Sequence, residues 1–174
     1  MLKKYLPHIL ITILVIFAYW PSLSGDFIFD DIHLIKNNPY IQNLHSLSSY
    51  LVQEDGITDK EKNPHLHTGF YRPLLNFTYF LDFKLWGINA QGFRLTNVLL
   101  HLICSLLIFQ MLIYLRIDIL PALLGSLFFA LHPTASETVS MIVCRNNLLA
   151  TTFCITSFLL HRSSLLNQKW LLFP

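Results

Sequence analysis

Long apolar runs with few charges constrain this chain more than any other feature. Apolar residues dominate the ranges 6–23, 95–115, 119–131 and 139–160. A helix needs about 20 mostly apolar residues to cross a bilayer core of about 30 Å. We therefore predict an all-α, polytopic membrane protein with about four spans, and the start of a fifth at Trp170.

The composition excludes several other classes. Hydrophobic residues make up 53% of the 174 residues and charged residues 13%, whereas about 25% of a typical soluble domain is charged. A net charge of +2 without a basic stripe argues against nucleic-acid binding. The three cysteines, Cys104, Cys144 and Cys154, lie in apolar stretches without the spacing of metal ligands, which indicates buried thiols.

The chain divides into three parts. Residues 1–23 are the first span, and residues 24–94 form an outer loop that holds eight of the ten acidic residues. Residues 95–174 hold spans two to four and the start of a fifth. Only Ser22-Leu23-Ser24 imitates a small-x-small cleavage site after the first apolar run. The run is long enough to span the membrane, with Trp20 as an interfacial anchor, so we interpret it as a retained signal anchor rather than a cleaved signal peptide.

Positive charges predict the orientation. Five lysines and arginines fall on one side of this layout: Lys3, Lys4, Arg116, Arg162 and Lys169. The short connection between spans three and four carries none. We therefore expect a cytoplasmic amino terminus and an acidic loop outside, in the periplasm or the ER lumen.

Two helices depart from simple spans. Span three has thirteen residues, roughly 20 Å, so it either continues past His132-Pro133 or ends below the membrane surface. In the loop, Pro73 opens a segment to Trp86 with apolar residues at 74, 77, 81 and 85, one helical face. That pattern predicts an amphipathic helix on the membrane surface.

Polar residues at membrane depth are costly and often mark sites. Asp30 and Asp31 follow the first span directly. Two adjacent carboxylates raise one pKa, which suits a general base or a shared cation. A helix cap or a solvated loop start is the alternative.

A second group lies after span three. His132 and Glu137 belong either to the same outer site or to an exit turn with a capping glutamate. Arg145 lies eight residues beyond Glu137, about 12 Å along a continuous helix, too far for an ion pair. We expect a bound anion such as a lipid phosphate to pair with it, or the side chain to reach the interface.

A third group lies on the outer half of span two. Arg94, Asn97 and His101 are spaced to form one polar stripe. Hydrogen bonds between helices explain such a stripe as well as a site does. Because all these groups converge on the outer membrane boundary, we predict that they line one cavity.

Several motifs resemble one known family. They are Phe27-x-Phe29-Asp30-Asp31 with Asn37-Asn38-Pro39-x-Ile41, then Tyr71-Arg72-Pro73-Leu74, then Gly87-Ile88-Asn89 through Leu100-His101, and finally Ala130-Leu131-His132-Pro133-x-x-x-Glu137 with Arg145. In this order they resemble the transmembrane and tetratricopeptide-repeat-containing O-mannosyltransferases and their bacterial relatives, over about residues 5 to 165.

The resemblance implies a type C glycosyltransferase fold and a dolichyl- or polyprenyl-phosphate sugar donor, often of mannose, with a hydroxyl on protein or glycan as acceptor. By position, Asp30 or Asp31 would deprotonate the acceptor, and Arg72 and Arg145 would hold the carrier phosphate. The remaining pocket residues would be Asn97, His101, His132 and Glu137. The resemblance leaves open whether a divalent metal is a cofactor. If one binds, Asp31 and Glu137 would be its ligands.

Two departures matter. Cys144-Arg145-Asn146-Asn147 stands where animal members have a Gly-Arg-Ala-Asp-like segment, which weakens a metal site there. The family's further spans and repeats do not follow, so we expect the amino-terminal fragment of an enzyme or one piece of a split one. The alternatives are a catalytically inactive membrane scaffold and a small transporter or channel subunit.

Overall fold

The computed structural model describes residues 2–38, 41 and 71–166, and this part of the chain is helical. Its helices are α1 (Leu2–Tyr19), α2 (Pro73–Trp86), α3 (Ala90–Tyr114), α4 (Ile119–Leu131), α5 (Ala135–Ser140) and α6 (Arg145–Leu166). Short 3₁₀ turns cover Trp20–Ser24 and Ile142–Cys144, and a π turn covers Ile32–Lys36. The predicted all-α class is confirmed.

Three helical segments of the described residues are long and apolar enough to cross a membrane: Tyr5–Ser24, Ala90–Tyr114 and Ile142–Ser163. They make the chain an integral membrane protein. Helix α4 occupies the predicted third span but has only 13 residues. The count of four spans therefore stays a prediction. A fifth span beginning at Trp170 lies outside the described residues.

Helix α3 is the centre of the bundle and packs against α1, α2, α4 and α6. It begins at Ala90, five residues before the predicted span, because Asn89 caps it: the Asn89 side chain accepts a hydrogen bond from the Gln91 amide at 3.0 Å. Gly87 separates α3 from α2 and adopts a positive φ of 62°, a conformation that favours glycine.

The predicted fourth span, 139–160, is not one continuous helix. Helix α5 ends at Ser140, Met141 is extended, and α6 begins only at Arg145. The cause is a tertiary contact, because the Asp31 carboxylate accepts hydrogen bonds from the Ile142 and Val143 amides. These amides belong to the turn between the two helices.

Helix α2 presents two different faces. The predicted apolar face, at positions 74, 77, 81 and 85, is exposed. The opposite face buries Leu75, Asn76, Tyr79, Phe80 and Asp82 against the bundle. An exposed apolar face fits a helix that touches lipid, but the placement of α2 on the outer membrane surface stays a prediction.

Two apolar clusters hold the elements together. One joins the segment after α1 to α2, the start of α3 and the turn before α6, around Phe27, Tyr79, Phe93 and Ile142. The other lies between α1, α3 and α4. The first cluster includes Tyr79 and Phe93, whose rings lie against the Arg145 guanidinium.

Candidate functional site

Arg145 is fully buried and fully engaged at the start of α6. Its guanidinium forms an ion pair with Asp82 of α2 at 2.5 Å. Nε donates to the Asn97 side-chain oxygen at 2.7 Å, and Nη1 donates to the Thr78 hydroxyl at 3.1 Å. Nη2 also donates to the Phe93 carbonyl at 2.9 Å. We call these five residues the buried arginine cluster.

The buried arginine cluster corrects the expectation that Arg145 lacks a nearby protein partner. The binding of a lipid phosphate by Arg145 stays a prediction. Asp82 supplies the partner charge, and the rings of Tyr79 and Phe93 lie 4.9 Å and 6.0 Å from the guanidinium carbon. The sequence analysis missed Asp82. The sequence feature that could have identified Asp82 is its spacing from Thr78, because the two polar residues lie four apart on one face of an apolar helix.

Asp31 is buried next to the break between α5 and α6. Its Oδ1 accepts a hydrogen bond from the Val143 amide at 3.0 Å and its Oδ2 from the Ile142 amide at 3.4 Å. Burial raises the pKa of the Asp31 carboxyl above its ordinary value, and these hydrogen bonds and the charge of Arg94 oppose that rise. Asp31 therefore fixes the turn that leads into α6.

Asp30 and Glu137, in contrast, are exposed. Both lie close enough to the Cys144 thiol to act on it electrostatically, as does Asp31. Three carboxylates from two distant parts of the chain thus share one neighbourhood. We call Asp30, Asp31 and Glu137 the carboxylate rim.

The backbone just before the carboxylate rim is strained. Phe29 adopts a φ of 46°, in the left-handed region that a bulky residue rarely occupies. Its side chain is exposed, so packing of the ring does not explain this conformation. The Asp31 amide donates to the Ile28 carbonyl at 2.9 Å and closes a tight turn around Phe29. Strain of this kind concentrates at functional sites.

The three residues of the polar stripe on α3, Arg94, Asn97 and His101, donate hydrogen bonds to backbone carbonyls. Arg94 donates to Gly25, Asp26 and Ser140, and Asn97 donates to Val139 at 3.3 Å and Met141 at 3.1 Å.

His101 donates from Nε2 to the Ala130 carbonyl at 2.9 Å, and the Tyr19 hydroxyl donates to the same carbonyl at 3.2 Å. The interpretation of the stripe as bonding between elements therefore holds for all three residues.

The predicted pocket residues are divided in the structure. His101 and His132 line one cavity of about 410 Å³ between α3, α4 and α6, together with Asn147 and Thr151. Asn97 belongs to the buried arginine cluster and Glu137 to the carboxylate rim. Arg72 is half-buried immediately before α2 and does not belong to the buried arginine cluster. The structure thus brings the predicted residues to three neighbouring places rather than one.

The residues that could hold a divalent metal do not form a complete site. Within residues 2–38, 41 and 71–166, no group of three or more His, Cys, Asp or Glu side chains is arranged to bind a metal ion. Both oxygens of Asp31 already accept backbone hydrogen bonds. Among the described residues, Asp31 and Glu137 therefore do not by themselves form the metal site that the resemblance leaves open.

Comparison with curated proteins gives several relatives. A protein O-mannosyl-transferase of Caenorhabditis elegans is 30% identical over 164 residues, 91% of this chain and 23% of the relative. Human protein O-mannosyl-transferase TMTC3 is 32% identical over 84% of the chain and 16% of its own length. Mouse protein O-mannosyl-transferase TMTC4 is 34% identical over 79% of the chain and 20% of its own length.

The chain therefore spans about a fifth of the length of the curated relatives it matches. No protein-family model matches it. No solved structure matches it at a significant level.

Proposed function

Because the chain belongs to the TMTC family of protein O-mannosyl-transferases, we propose that it forms part of a membrane glycosyltransferase acting on protein. The donor is a dolichyl- or polyprenyl-phosphate sugar, with mannose as the sugar, and the acceptor is a protein hydroxyl. The acidic loop and the carboxylate rim face the non-cytoplasmic side, and the amino terminus is cytoplasmic.

The observation that carries this proposal is the contrast between Asp30 and Asp31. The two carboxylates are adjacent in sequence, yet Asp31 is buried and bonded to two amides, whereas Asp30 is exposed after a strained residue. A general base must reach the hydroxyl from which it takes the proton. We therefore assign the base to Asp30 and a positioning role to Asp31.

The reaction is a displacement at the anomeric carbon. The acceptor oxygen forms a bond to that carbon while the bond to the carrier phosphate breaks, so the configuration inverts. The proton of the hydroxyl passes to the Asp30 carboxylate. The leaving group is the lipid phosphate, whose charge an arginine stabilises. Arg72 is the better candidate for this contact, since its side chain is partly exposed whereas that of Arg145 is fully buried.

Arg145 then acts on the site indirectly. It ties α2, which directly follows Arg72, to α3 and α6 through Asp82, Thr78 and Asn97. The position of Arg72 relative to Asp30 depends on that connection. Binding of the phosphate by Arg145 itself would require the guanidinium to leave these partners.

Mannose transfer in proteoliposomes by the chain expressed together with the remaining part of a TMTC relative tests the proposal, provided that the wild-type chain supports transfer there. Loss of a general base lowers the rate by about 100-fold to 10,000-fold, so Asp30→Asn should reduce mannose transfer from a polyprenyl-phosphate donor by this order. Asp118→Asn is the matched control, an exposed carboxylate on the turn between α3 and α4, and should retain most of the activity. Equal transfer by Asp30→Asn and the wild type would contradict the assignment of the base.

The second candidate function is a membrane scaffold without catalysis. The engagement of Arg94, Asn97 and Arg145 by groups of the chain itself favours it, because all three serve packing. Under this alternative the chain transfers no sugar, either alone or when expressed together with the rest of a relative. It would still insert into the membrane and fold.

A further inference from the structure

Two adjoining cavities lie between the end of α1 and the start of α3, apart from the carboxylate rim. They have volumes of about 430 Å³ and 290 Å³ and share Ser24, Asn89 and Gln91 as walls. The first is also lined by Trp20 and Trp86. The second is also lined by Asp26 and Lys36. We call the two together the tryptophan trough.

The walls of the tryptophan trough are held in place by buried contacts. A Cβ at position 92 would lie 2.3 Å from Trp86 Cγ, so only glycine lets the indole rest against α3. The other wall, Gly25–Asp26, is bound through its carbonyls to the Arg94 guanidinium, which is 2% exposed. A binding site gains affinity when its groups are ordered before the ligand arrives.

Four of the residues that face the trough are exposed, namely Trp20, Trp86, Gln91 and Asp26. Trp20 is 68% exposed and Trp86 is 44% exposed. Among the described residues, the Gln91 side-chain amide and the Asp26 carboxylate make no hydrogen bond to another side chain or backbone group. An amide offers two donors and an acceptor, and a carboxylate offers two acceptors.

We infer that the tryptophan trough binds a hexopyranose. The C–H face of a pyranose ring stacks on an indole, and its neighbouring hydroxyls fit amide and carboxylate groups side by side. Interfacial anchoring alone explains exposed tryptophans. It does not explain a ring seated on a glycine beside an unengaged amide and a carboxylate. The inference deepens the proposed function, on which the choice of mannose as the sugar rests, while binding of a pyranose is measured without any transfer reaction.

The sugar has two possible sources, the head of a lipid-linked donor or a glycan on an acceptor protein. Both present the same pyranose to the trough. A soluble methyl α-mannopyranoside tests the sugar alone, and a short-prenyl phosphate mannose tests the donor. A short-prenyl phosphate without sugar is the control for the phosphate.

The test uses the full chain in phosphatidylcholine nanodiscs, because detergents with sugar heads would compete. The third tryptophan, Trp170, lies outside the described residues and is replaced by phenylalanine throughout, so emission reports Trp20 and Trp86. We expect a saturable change in emission with methyl α-mannopyranoside, and none with sorbitol, which has no pyranose ring. Saturation-transfer NMR of the sugar protons gives a second readout that does not depend on emission.

The decisive variant is Gln91→Ala, with Gln110→Ala as the matched control, an exposed glutamine of the same helix outside the trough. Loss of one or two hydrogen bonds should weaken mannoside binding by about fivefold to tenfold in Gln91→Ala, and Gln110→Ala should bind as the wild type does.

Tighter binding of the prenyl phosphate mannose than of the free mannoside would identify the donor as the ligand, and equal binding would favour a glycan. The inference fails if both readouts show no saturable mannoside binding. It also fails if Gln91→Ala binds normally, or if the sugar-free prenyl phosphate binds as well as its mannose derivative.

Discussion

The buried arginine cluster and the carboxylate rim lie at the same end of the bundle, and they differ in how their charges are accommodated. In the cluster, Arg145 is removed from solvent and meets Asp82 and three other acceptors. In the rim, Asp30 and Glu137 are exposed and only Asp31 is buried. The comparison teaches that packing can satisfy a costly charge next to a membrane completely, so the cost of a charge alone does not identify a catalytic group.

The largest expected effect is on the cluster side of this comparison. Arg145→Met leaves Asp82 buried without its partner charge, so the free energy of unfolding should fall by about 3–5 kcal/mol. Reversible unfolding by SDS in mixed micelles measures it. Arg162→Met, at an exposed arginine on the same helix, should change the value by less than about 0.5 kcal/mol.

The double variant Arg145→Met, Asp82→Leu sharpens the test, since it removes both charges. It should recover much of the lost stability. A double variant no more stable than Arg145→Met would mean that Asp82 is not the partner of the arginine.

The next effect concerns the contact between α3 and Trp86. Gly92→Ala places a methyl group against the indole and should destabilise the fold by about 1–3 kcal/mol through overpacking. Gly125→Ala is the control, because its new Cβ would lie 3.3 Å from the flexible Leu112 side chain. That substitution also removes a helix cost of about 1 kcal/mol. Equal destabilisation by both would show that Trp86 is not seated on Gly92.

A smaller effect follows from the pKa of Asp31. Since burial raises this pKa, the folded state holds the proton more tightly than the unfolded state does. The free energy of unfolding should therefore be highest below the ordinary value of 3.8 and fall as the pH rises through the raised pKa, then level off. Unfolding midpoints measured across this range should show a smaller slope in Asp31→Asn, and the slope that remains comes from Asp82, whose pKa burial also raises. An unchanged slope in the variant would assign all of it to groups other than Asp31.

The smallest effect on stability belongs to Asp30. Its side chain is exposed, so Asp30→Asn should change the free energy of unfolding by less than about 0.5 kcal/mol. The same variant should lose sugar transfer. A large loss of stability would place Asp30 with the buried residues and remove the contrast with Asp31.

The sequence predicts the helices well where apolar periodicity acts alone. Helix α4 has the predicted ends, Ile119 and Leu131. The break before α6 could not be predicted, because the Ile142 amide donates a hydrogen bond to the carboxylate of Asp31, which lies 111 residues earlier in the chain. Local pattern carries no information on such a contact.

The sequence likewise predicts some features of the candidate site and misses others that depend on tertiary packing. The sequence shows that Arg145 and Asn97 are costly at their depth, and both prove to be bonded. It does not show that the loop helix supplies Asp82, since that requires the packing of α2 on α3. The difference between Asp30 and Asp31 likewise comes from packing, because adjacent identical residues have the same intrinsic chemistry.

The central claim is that Asp30 and Glu137 are exposed on the non-cytoplasmic side while Asp31 is buried. Labelling by a membrane-impermeant maleimide in oriented vesicles tests this claim most directly, in a chain whose three cysteines are replaced by alanine. The account predicts that Asp30→Cys and Glu137→Cys are labelled from the non-cytoplasmic side, that Asp31→Cys is protected, and that Arg116→Cys is labelled from the opposite side. Equal labelling at positions 30 and 31, or labelling at positions 30 and 116 from the same side, would contradict it.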